Sequence, residues 1–365
     1  MDLKKAFDTV DHEILLEKLK FYGFKGNTLK WFKSYLENRK QCIKFKNTTS
    51  GPLPMVCGVP QGSILGPLLF ILYINDLSHA LNLTTLLFAD DTTFIAKGDS
   101  FKNTIDILNK ELQKASEWFR TNRLSLHPKK ITFIAFNPKP NEIIENPILL
   151  GVPIQRIQED ASEVNKSFKY VGVHLDEHLN WKHHTTHISK KIRTNLFLIN
   201  RAKRHLSKGM RIILYSALIQ PHLDYCNTIW GGALKNIINS VYKLQKKAIR
   251  IITLSDYSAH TKHLFKQENL LPLRELISIN ELKLAHRIWY SNAPEFIRED
   301  FKVRNLPSLR NKLHFDYPLI KKDSIIRLPL YRIPKAWNSV SKEVKQITNK
   351  KTFAKRVKKA LLLEL

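Results

Sequence analysis

The ten residues Leu86-Leu87-Phe88-Ala89-Asp90-Asp91-Thr92-Thr93-Phe94-Ile95 place two adjacent carboxylates between two apolar arms. Asp-Asp at the centre of such a stretch predicts a tight hairpin turn between two buried strands. Carboxylates held this close repel each other and lose hydration beside a core. Mg²⁺ relieves both costs, because it takes hard oxygen ligands. A solvated Asp-Asp turn is the ordinary alternative, since turns favour Asp, so the rest of the chain has to decide between the two interpretations.

The composition of the 365-residue chain indicates a polyanionic partner. Lys and Arg outnumber Asp and Glu by 60 to 32, which gives a net charge of +28. Nucleic acid is the first partner that this charge indicates, and an anionic membrane surface is the second. No apolar run reaches the roughly 18 residues of a membrane span, and no secretory signal opens the chain. We therefore expect a nuclear or cytoplasmic protein that is neither secreted nor membrane-spanning.

Three further stretches carry chemically active side chains, and their order along the chain is informative. Asp2 is followed five residues later by Phe7, a glycine-rich turn carries Gln61-Gly62, and Lys129-Lys130 leads into a predicted strand. With the hairpin between them, these elements can form an α+β palm whose antiparallel sheet brings Asp2 beside Asp90. Two metal ions about 3.5–4 Å apart, held by shared carboxylates, would clamp the oxygens of a phosphoryl transfer. A nearby lysine could neutralise or protonate the leaving group.

This order resembles the palm of reverse transcriptases, specifically those of non-long-terminal-repeat retrotransposons of the LINE-like and jockey-like kind. Residues 2–12 are similar to the family's motif A, residues 58–70 to its motif B, and Phe88-Ala89-Asp90-Asp91 to the F-A-D-D form of its motif C. Lys130 resembles the motif D lysine, although Ile131 stands where the family usually has Thr. Motif B and the F-A-D-D hairpin are highly specific as a pair. The resemblance covers about residues 1–180.

The resemblance implies an RNA-directed DNA polymerase that uses an RNA template, a DNA primer, deoxynucleoside triphosphates and two Mg²⁺ ions, with Mn²⁺ as a possible substitute. The metal ligands that it implies are Asp2, Asp90, Asp91 and the carbonyl of Leu3. It also implies that Phe7 lies under the incoming sugar and excludes a ribose 2′-hydroxyl, and that Lys130 approaches the triphosphate. Gln61 and Gly62 would contact the template base and the nucleotide. Residues 168–172 resemble the primer-grip hairpin, which would place the primer at Tyr170, Val171 and Gly172.

Most of these residues also have a simpler interpretation. Phe7 could be a core residue, Gln61 a surface polar residue and Lys130 part of a solvated charge pair. Asp8 and Asp11 fit the start of a helix, where acidic side chains are favoured. A group of three histidines, His183, His184 and His187, has no cysteine at zinc spacing and does not predict a metal site.

The pattern changes after residue 180 from short strands to long helical periods. Residues 181–250 contain fourteen Lys or Arg and a single acid, Asp224. We predict a palm at residues 1–180, a basic, all-α, thumb-like region at residues 181–300 and a C-terminal basic tail region at residues 301–365. The nucleic-acid-binding residues predicted for the thumb-like region are Lys190, Lys191, Arg193, Arg201, Lys203 and Arg204.

The beginning of the sequence departs from the family. A fingers region precedes motif A in the family, whereas only Met1 precedes Asp2 here. We therefore expect a palm without fingers, in a fragment of a retrotransposon protein with impaired activity. The alternative is a nucleic-acid-binding remnant without catalysis. A basic scaffold for membranes or acidic proteins is a third possibility, but it lacks a convincing amphipathic lipid-binding face.

Overall fold

The structure is a computed structural model that describes residues 3–127, 130–139, 142–158, 166–303, 314–320 and 324–365. The chain divides into two compact units, Met1–Lys166 and Ser167–Leu365. This division comes before residue 180, where we drew the boundary from the sequence. Asp176 supplies the physical reason, because its buried carboxylate accepts hydrogen bonds from the N–H groups of Asn180 and Trp181. The hairpin before Asp176 is thereby joined to the helices that follow it.

The first unit alternates helices with short strands. A 3₁₀ turn at Ala6–Asp8 is followed by helices α1 (His12–Phe21) and α2 (Gly26–Leu36). Four two-residue strands come next, namely β1 (Lys40–Gln41), β2 (Lys44–Phe45), β3 (Thr48–Thr49) and β4 (Leu53–Pro54). Then follow α3 (Leu65–Ile74), α4 (Leu77–Ala80), the hairpin β5 (Thr84–Phe88) and β6 (Asp91–Ile95), and α5 (Phe101–Thr121). The unit ends with β7 (Thr132–Ile134), β8 (Ile148–Leu149), β9 (Val152–Pro153) and β10 (Gln155–Ile157).

The strands of the first unit pair two by two in the described ranges. Strands β1 and β4, β2 and β3, β5 and β6, and β8 and β9 are antiparallel pairs, whereas β7 and β10 are parallel. The mixed helix-and-strand class that we predicted is confirmed, but the described residues do not form the single antiparallel sheet that we expected. Leu3 makes one bridge, to Leu126, and Lys5 then turns into the left-handed region at φ +48°. Among the described residues before this turn, Leu3 is therefore the one that pairs as a strand, and its partner is not the hairpin.

Helices α1, α2, α3 and α5 share the core of the first unit. Helix α1 carries apolar residues at helical spacing, and Leu15 and Leu19 are fully buried. Helices α1, α2 and α5 bury an apolar face in this common centre, which is the usual way for amphipathic helices to remove apolar side chains from water. Helix α3 is apolar nearly all round, and Leu68 and Ile71 on it stay about half exposed. The largest side chains buried in this core are Phe32, Phe70, Tyr73 and Phe119. The core places the 3₁₀ turn, α1 and α3 around one another.

Within its described residues, the second unit is helical apart from one hairpin and an isolated bridge between Val303 and Phe315. The hairpin is formed by β11 (Phe168–Tyr170) and β12 (Val173–Leu175). The longer helices are α6 (Lys182–Ala202), α7 (Lys208–Leu218), α10 (Lys235–Thr253), α12 (Leu273–Trp289), α14 (Pro329–Ser339) and α16 (Lys350–Leu363). The shorter helices are α8 (Gln220–Asp224), α9 (Asn227–Trp230), α11 (Lys262–Gln267), α13 (Glu295–Glu299) and α15 (Lys342–Lys345).

Helix α12 is the centre of the second unit. It is buried around most of its circumference, and α14 and α16 pack against it. Trp337 of α14 and Phe353 of α16 are fully buried in the same core, and Arg332 forms an ion pair with the buried Glu281 of α12. The described part of residues 301–365, which we predicted as a separate tail region, thus belongs to this unit. None of the helices in the described ranges has the length and apolarity that crossing a membrane requires.

Candidate active site

The acidic stretch forms the hairpin that the sequence predicts. Phe88 pairs with Asp91 across a two-residue loop of Ala89 and Asp90, and Ala89 has a φ of +51°. Positive φ at the first loop position alone is the sign pattern of a II′ turn, which suits the twist of a hairpin. The strands are less buried than we expected, because their partners in the described ranges are only each other. Phe88, for example, is 59% exposed.

Two carboxylates stand at the tip of this hairpin without a partner among the described residues. Asp90 is half-buried and Asp91 is exposed. No group of three or more His, Cys, Asp or Glu side chains in the described ranges is placed to hold a metal ion. Asp2, the predicted third carboxylate, lies outside the described residues. Two carboxylates with unused acceptor oxygens are the kind of ligand that Mg²⁺ takes, so this part of the predicted donor set fits the ion.

The predicted motif B loop lies along the predicted motif A segment, and main-chain hydrogen bonds join them. Gly58 N–H donates to the Val10 carbonyl at 2.7 Å, and Val59 N–H donates to the Phe7 carbonyl at 2.8 Å. Gly58 has a φ of +87°, and a Cβ atom at this position would lie 2.8 Å from the Asp8 carbonyl oxygen. This approach requires glycine, because a side chain would collide with backbone.

The start of α1 adds two side-chain contacts to this junction. His12 Nε2–H donates to the Gly58 carbonyl at 2.8 Å. Asp11 caps α1, as predicted, by accepting a hydrogen bond from Ile14 N–H, and it forms an ion pair with Arg123. Burial opposes ionisation of Asp11, but the hydrogen bonds from Ile14 and Arg123 outweigh it and hold the pKa of the carboxyl below its usual range.

Asp8 does not have the helix-capping role that we assigned to it. It ends the 3₁₀ turn, three residues before Asp11 takes the capping position. Its carboxylate instead accepts a hydrogen bond of 2.7 Å from Nε2 of Gln61. Gln61 is exposed, and Gly62 beside it has a φ of +78° with open space where a Cβ would stand. Local spacing gave no signal for this pair, because the partners are 53 residues apart.

The three remaining predicted residues of the first unit occupy different environments. Phe7 is half-buried, and its ring lies 4.8 Å from the ring of Phe70 at the edge of the core. Part of the ring stays accessible, so both of its predicted roles are compatible with this position. Leu3, whose carbonyl was a predicted ligand, has a buried side chain. Lys130 is exposed and comes directly before the buried Ile131.

The predicted primer-grip residues lie at the hairpin of the second unit. Tyr170 ends β11, and Val171 and Gly172 form the turn, with φ values of +42° and +82°. Tyr225, which follows α8, donates a hydrogen bond of 2.5 Å to the Val171 carbonyl. The Tyr225 ring also lies against Gly172, so that a Cβ there would be 3.1 Å from Cε1. Sequence analysis missed Tyr225, because nothing in its neighbourhood marks a contact with this turn.

The predicted nucleic-acid-binding residues lie on and just beyond α6. Lys190, Lys191, Arg193, Arg201 and Arg204 are exposed, and Lys203 is half-buried. None of them has an acidic partner in the described ranges. Not every basic residue of residues 181–250 is available to a ligand, however. Arg211 is buried and donates to the carbonyls of Lys203, Leu206 and Ile252, which is a structural role at helix ends.

Three histidine rings of the second unit lie together. The ring centroid of His174 is 4.6 Å from that of His187 and 6.4 Å from that of His184. Burial, together with the charges of His174 and His187, lowers the pKa of His184 to about 4. A buried, neutral imidazole that packs 5.7 Å from the Trp230 ring is a core residue.

Comparison with known proteins agrees with the motifs. Residues 1–175 match the family described as Reverse transcriptase (RNA-dependent DNA polymerase). The probable RNA-directed DNA polymerase from transposon BS of Drosophila melanogaster is 29% identical over 307 residues, which cover 79% of this chain and 32% of that protein. The RNA-directed DNA polymerase from mobile element jockey of the same species is 26% identical over 273 residues, or 72% of this chain and 29% of that protein.

A third relative gives a similar result. The retrovirus-related Pol polyprotein from type-1 retrotransposable element R2 of Popillia japonica is 28% identical over 276 residues, covering 69% of this chain and 41% of that protein. The chain spans about a third of the length of the BS and jockey proteins. These similarities confirm the resemblance drawn from the motifs: the chain is similar to the polymerases of non-long-terminal-repeat retrotransposons.

Proposed function

We propose that this chain carries the polymerase site of a non-long-terminal-repeat retrotransposon. In this proposal it extends the 3′-hydroxyl of a DNA primer with deoxynucleoside triphosphates, copying an RNA template. The observation that carries the proposal is the junction of Gly58 and Val59 with residues 7–12. It holds two stretches with polymerase-like sequences against each other, in the same compact unit as the Asp90-Asp91 hairpin.

Each predicted residue has a role in this proposed reaction. Asp90 and Asp91, with Asp2, would hold two divalent metal ions, and such ions stabilise charge on the attacking and leaving oxygens. The accessible part of the Phe7 ring would limit the space below the sugar. Gln61, exposed beside the glycine turn, would meet the template base or the nucleotide. Lys130 would approach the triphosphate, and its positive charge would favour the departing pyrophosphate.

Primer extension on an RNA template, with Mg²⁺ or Mn²⁺, tests the proposal. Asp90→Asn should lower the rate roughly a hundredfold or more, because the lost charge stabilisation is worth several kcal/mol. Asp99→Asn is the matched control, since Asp99 is an exposed acid shortly after β6, and it should extend primers at the normal rate. Equal rates for the Asp90 variant and the unmodified chain would contradict the proposal.

Metal binding can be tested without catalysis. Titration with Mg²⁺ should raise the midpoint of thermal unfolding, because a ligand that binds only the folded state stabilises it. The double change Asp2→Ala with Asp90→Ala should abolish that rise. A metal-dependent shift that survives in the double variant would show that the ions bind elsewhere.

The exposed basic residues of α6 favour a second candidate function, nucleic-acid binding without catalysis. Exposed Lys and Arg side chains suit contacts with phosphates, which need no particular base sequence. The two functions separate in one comparison, because Asp90→Asn should leave binding of an RNA–DNA duplex intact. If the unmodified chain binds the duplex and shows no more extension than the variant, the second function is the correct one.

A further inference from the structure

We propose that Asp8 is a positioning residue that orients the side chain of Gln61 and thereby sharpens nucleotide selection. This inference rests on the proposed function, in which Gln61 contacts the template base or the incoming nucleotide. Its starting point is the 2.7 Å hydrogen bond from Gln61 Nε2 to a carboxylate oxygen of Asp8. Gln61 is otherwise exposed, so this bond is what distinguishes it from a freely rotating surface side chain.

Main-chain hydrogen bonds hold the loop just before Gln61, whereas the Gln61 side chain is held by its bond to Asp8. Gly58 and Val59 are hydrogen-bonded to Val10 and Phe7, and His12 Nε2–H donates to the Gly58 carbonyl. These contacts end before Gln61. Gly62, the next residue, has open space where a Cβ would stand. Asp8 therefore supplies a side-chain contact just beyond the point where the main-chain hydrogen bonds between the loop and residues 7–10 end.

The chemistry of a carboxylate decides which end of the amide faces it. An ionised carboxylate only accepts hydrogen bonds, whereas the glutamine amide has an NH₂ group that donates and an oxygen that accepts. Asp8 thus holds the Gln61 NH₂ group toward itself and turns the Oε1 atom away. A ligand beside the loop then meets an acceptor oxygen in a constant direction. With Asn at position 8, either end of the Gln61 amide could face it.

Orientation of this kind should affect nucleotide binding more than the chemical step. If the Gln61 side chain becomes ordered only when the nucleotide binds, the entropy cost of ordering offsets part of the binding free energy of its contact. We therefore expect Asp8→Ala to raise KM for the correct nucleotide about threefold to tenfold, with kcat little changed. The ratio of correct to mismatched incorporation should fall by a similar factor. Asp8→Asn should lie between Asp8→Ala and the unmodified chain.

The experiment measures single-nucleotide incorporation with enzyme in excess, using an RNA template, a DNA primer and each deoxynucleotide in turn. The variants are Asp8→Ala, Asp8→Asn, Gln61→Ala and the double variant with alanine at both positions. Glu13→Ala is the matched control, because Glu13 is an exposed acid on the first turn of α1. Since Asp8 acts through Gln61, the double variant should equal Gln61→Ala. Two residues that act independently would instead multiply their effects.

A second measurement tests the contact without any reaction. The side-chain NH₂ resonances of Gln61 in the NMR spectrum of the full chain should move in Asp8→Ala and stay in place in Glu13→Ala. The thermal midpoint of Asp8→Ala should remain within a few degrees of the unmodified chain, because the bond lies at the surface.

The outcomes separate this inference from the proposed function. Normal selectivity in Asp8→Ala, or multiplied effects in the double variant, would overturn the role of Asp8 and leave the polymerase assignment intact. Unmoved Gln61 resonances would overturn it as well. If the unmodified chain incorporates no more nucleotide than Asp90→Asn, the proposed function itself fails, and the role of Asp8 fails with it.

Discussion

The phenol of Tyr225 donates a hydrogen bond of 2.5 Å to the carbonyl oxygen of Val171. The same ring lies against Gly172, the next residue of the turn between β11 and β12. Two adjacent residues of the predicted primer grip are thus held by one side chain from the segment after α8. Both have positive φ, so the contact supports a backbone conformation that L-residues with side chains rarely adopt.

Gly172→Ala should therefore destabilise the protein more than Gly151→Ala. Both glycines have positive φ, +82° and +75°, but a Cβ at Gly151 meets open space and one at Gly172 meets the Tyr225 ring. We expect each change to lower the free energy of unfolding by about 1–2 kcal/mol for the left-handed conformation. Overpacking should add roughly 1 kcal/mol for Gly172→Ala alone. In urea unfolding, this extra loss should disappear when Tyr225 is also changed to Ala; if it persists, the ring contact is not its cause.

The stability of the second unit should fall between pH 6.5 and 4 because of His184. Its pKa is about 4 in the fold, mainly because of burial, against an ordinary value of 6.5. Between these values the unfolded chain binds a proton that the folded chain does not, so the stabilisation present above pH 6.5 is lost on acidification. The loss is about 3 kcal/mol.

His184→Gln tests this pH dependence, because glutamine fills similar space and does not titrate. The free energy of unfolding, measured in urea, should differ less between pH 7 and pH 4.5 in the variant than in the unmodified chain. His174 and His187 also have lowered pKa values, mainly through burial, so part of the slope should remain. If the free energy of unfolding of His184→Gln depends on pH as steeply as that of the unmodified chain, other groups cause the acid sensitivity.

Phe7→Val should let the chain incorporate ribonucleotides. If the Phe7 ring closes the space below the sugar, the smaller side chain removes a clash with the 2′-hydroxyl. The change should also lower the free energy of unfolding by about 1–2 kcal/mol, since the contact with Phe70 is lost. Phe133→Val, at another half-buried phenylalanine of the same core, is the control. Unchanged discrimination between ribonucleotides and deoxyribonucleotides would return Phe7 to a purely structural role.

Binding of an RNA–DNA duplex should weaken steeply with salt. Each phosphate that a Lys or Arg neutralises contributes roughly −0.7 to −0.9 to the slope of log affinity against log salt. Arg201→Ala should reduce that slope by about 1, because Arg201 is exposed. Arg211→Ala is the contrasting variant: its guanidinium is buried on three carbonyls, so stability should fall and the slope should stay. Fluorescence anisotropy of a labelled duplex measures the slope for both variants, and urea unfolding measures their stability. A flat salt dependence would contradict phosphate binding.

The local elements of this protein follow from its sequence. The apolar arms around Asp90-Asp91 form the predicted hairpin, Asp11 caps α1 as predicted, and the long helical periods after residue 180 appear as α6, α7 and α10. These features depend on residues that lie close together in the chain, where side-chain period, capping and turn chemistry act directly. The motif order indicated the resemblance to reverse transcriptases for the same reason, since each motif is a short contiguous stretch.

The hairpin, the helices, the excess positive charge and the resemblance to reverse transcriptases thus follow from local sequence alone. Which of these elements meet depends on the tertiary fold. In the fold, Asp8 accepts a hydrogen bond from Gln61 rather than capping a helix, and Tyr225 contacts the Val171–Gly172 turn. Arg211 binds carbonyls at helix ends, and the described part of residues 301–365 packs against α12. The partners in the first two contacts are 53 and 54 residues apart. Such pairs form because packing closes the chain between them, and closure over that distance depends on the whole fold rather than on any local pattern.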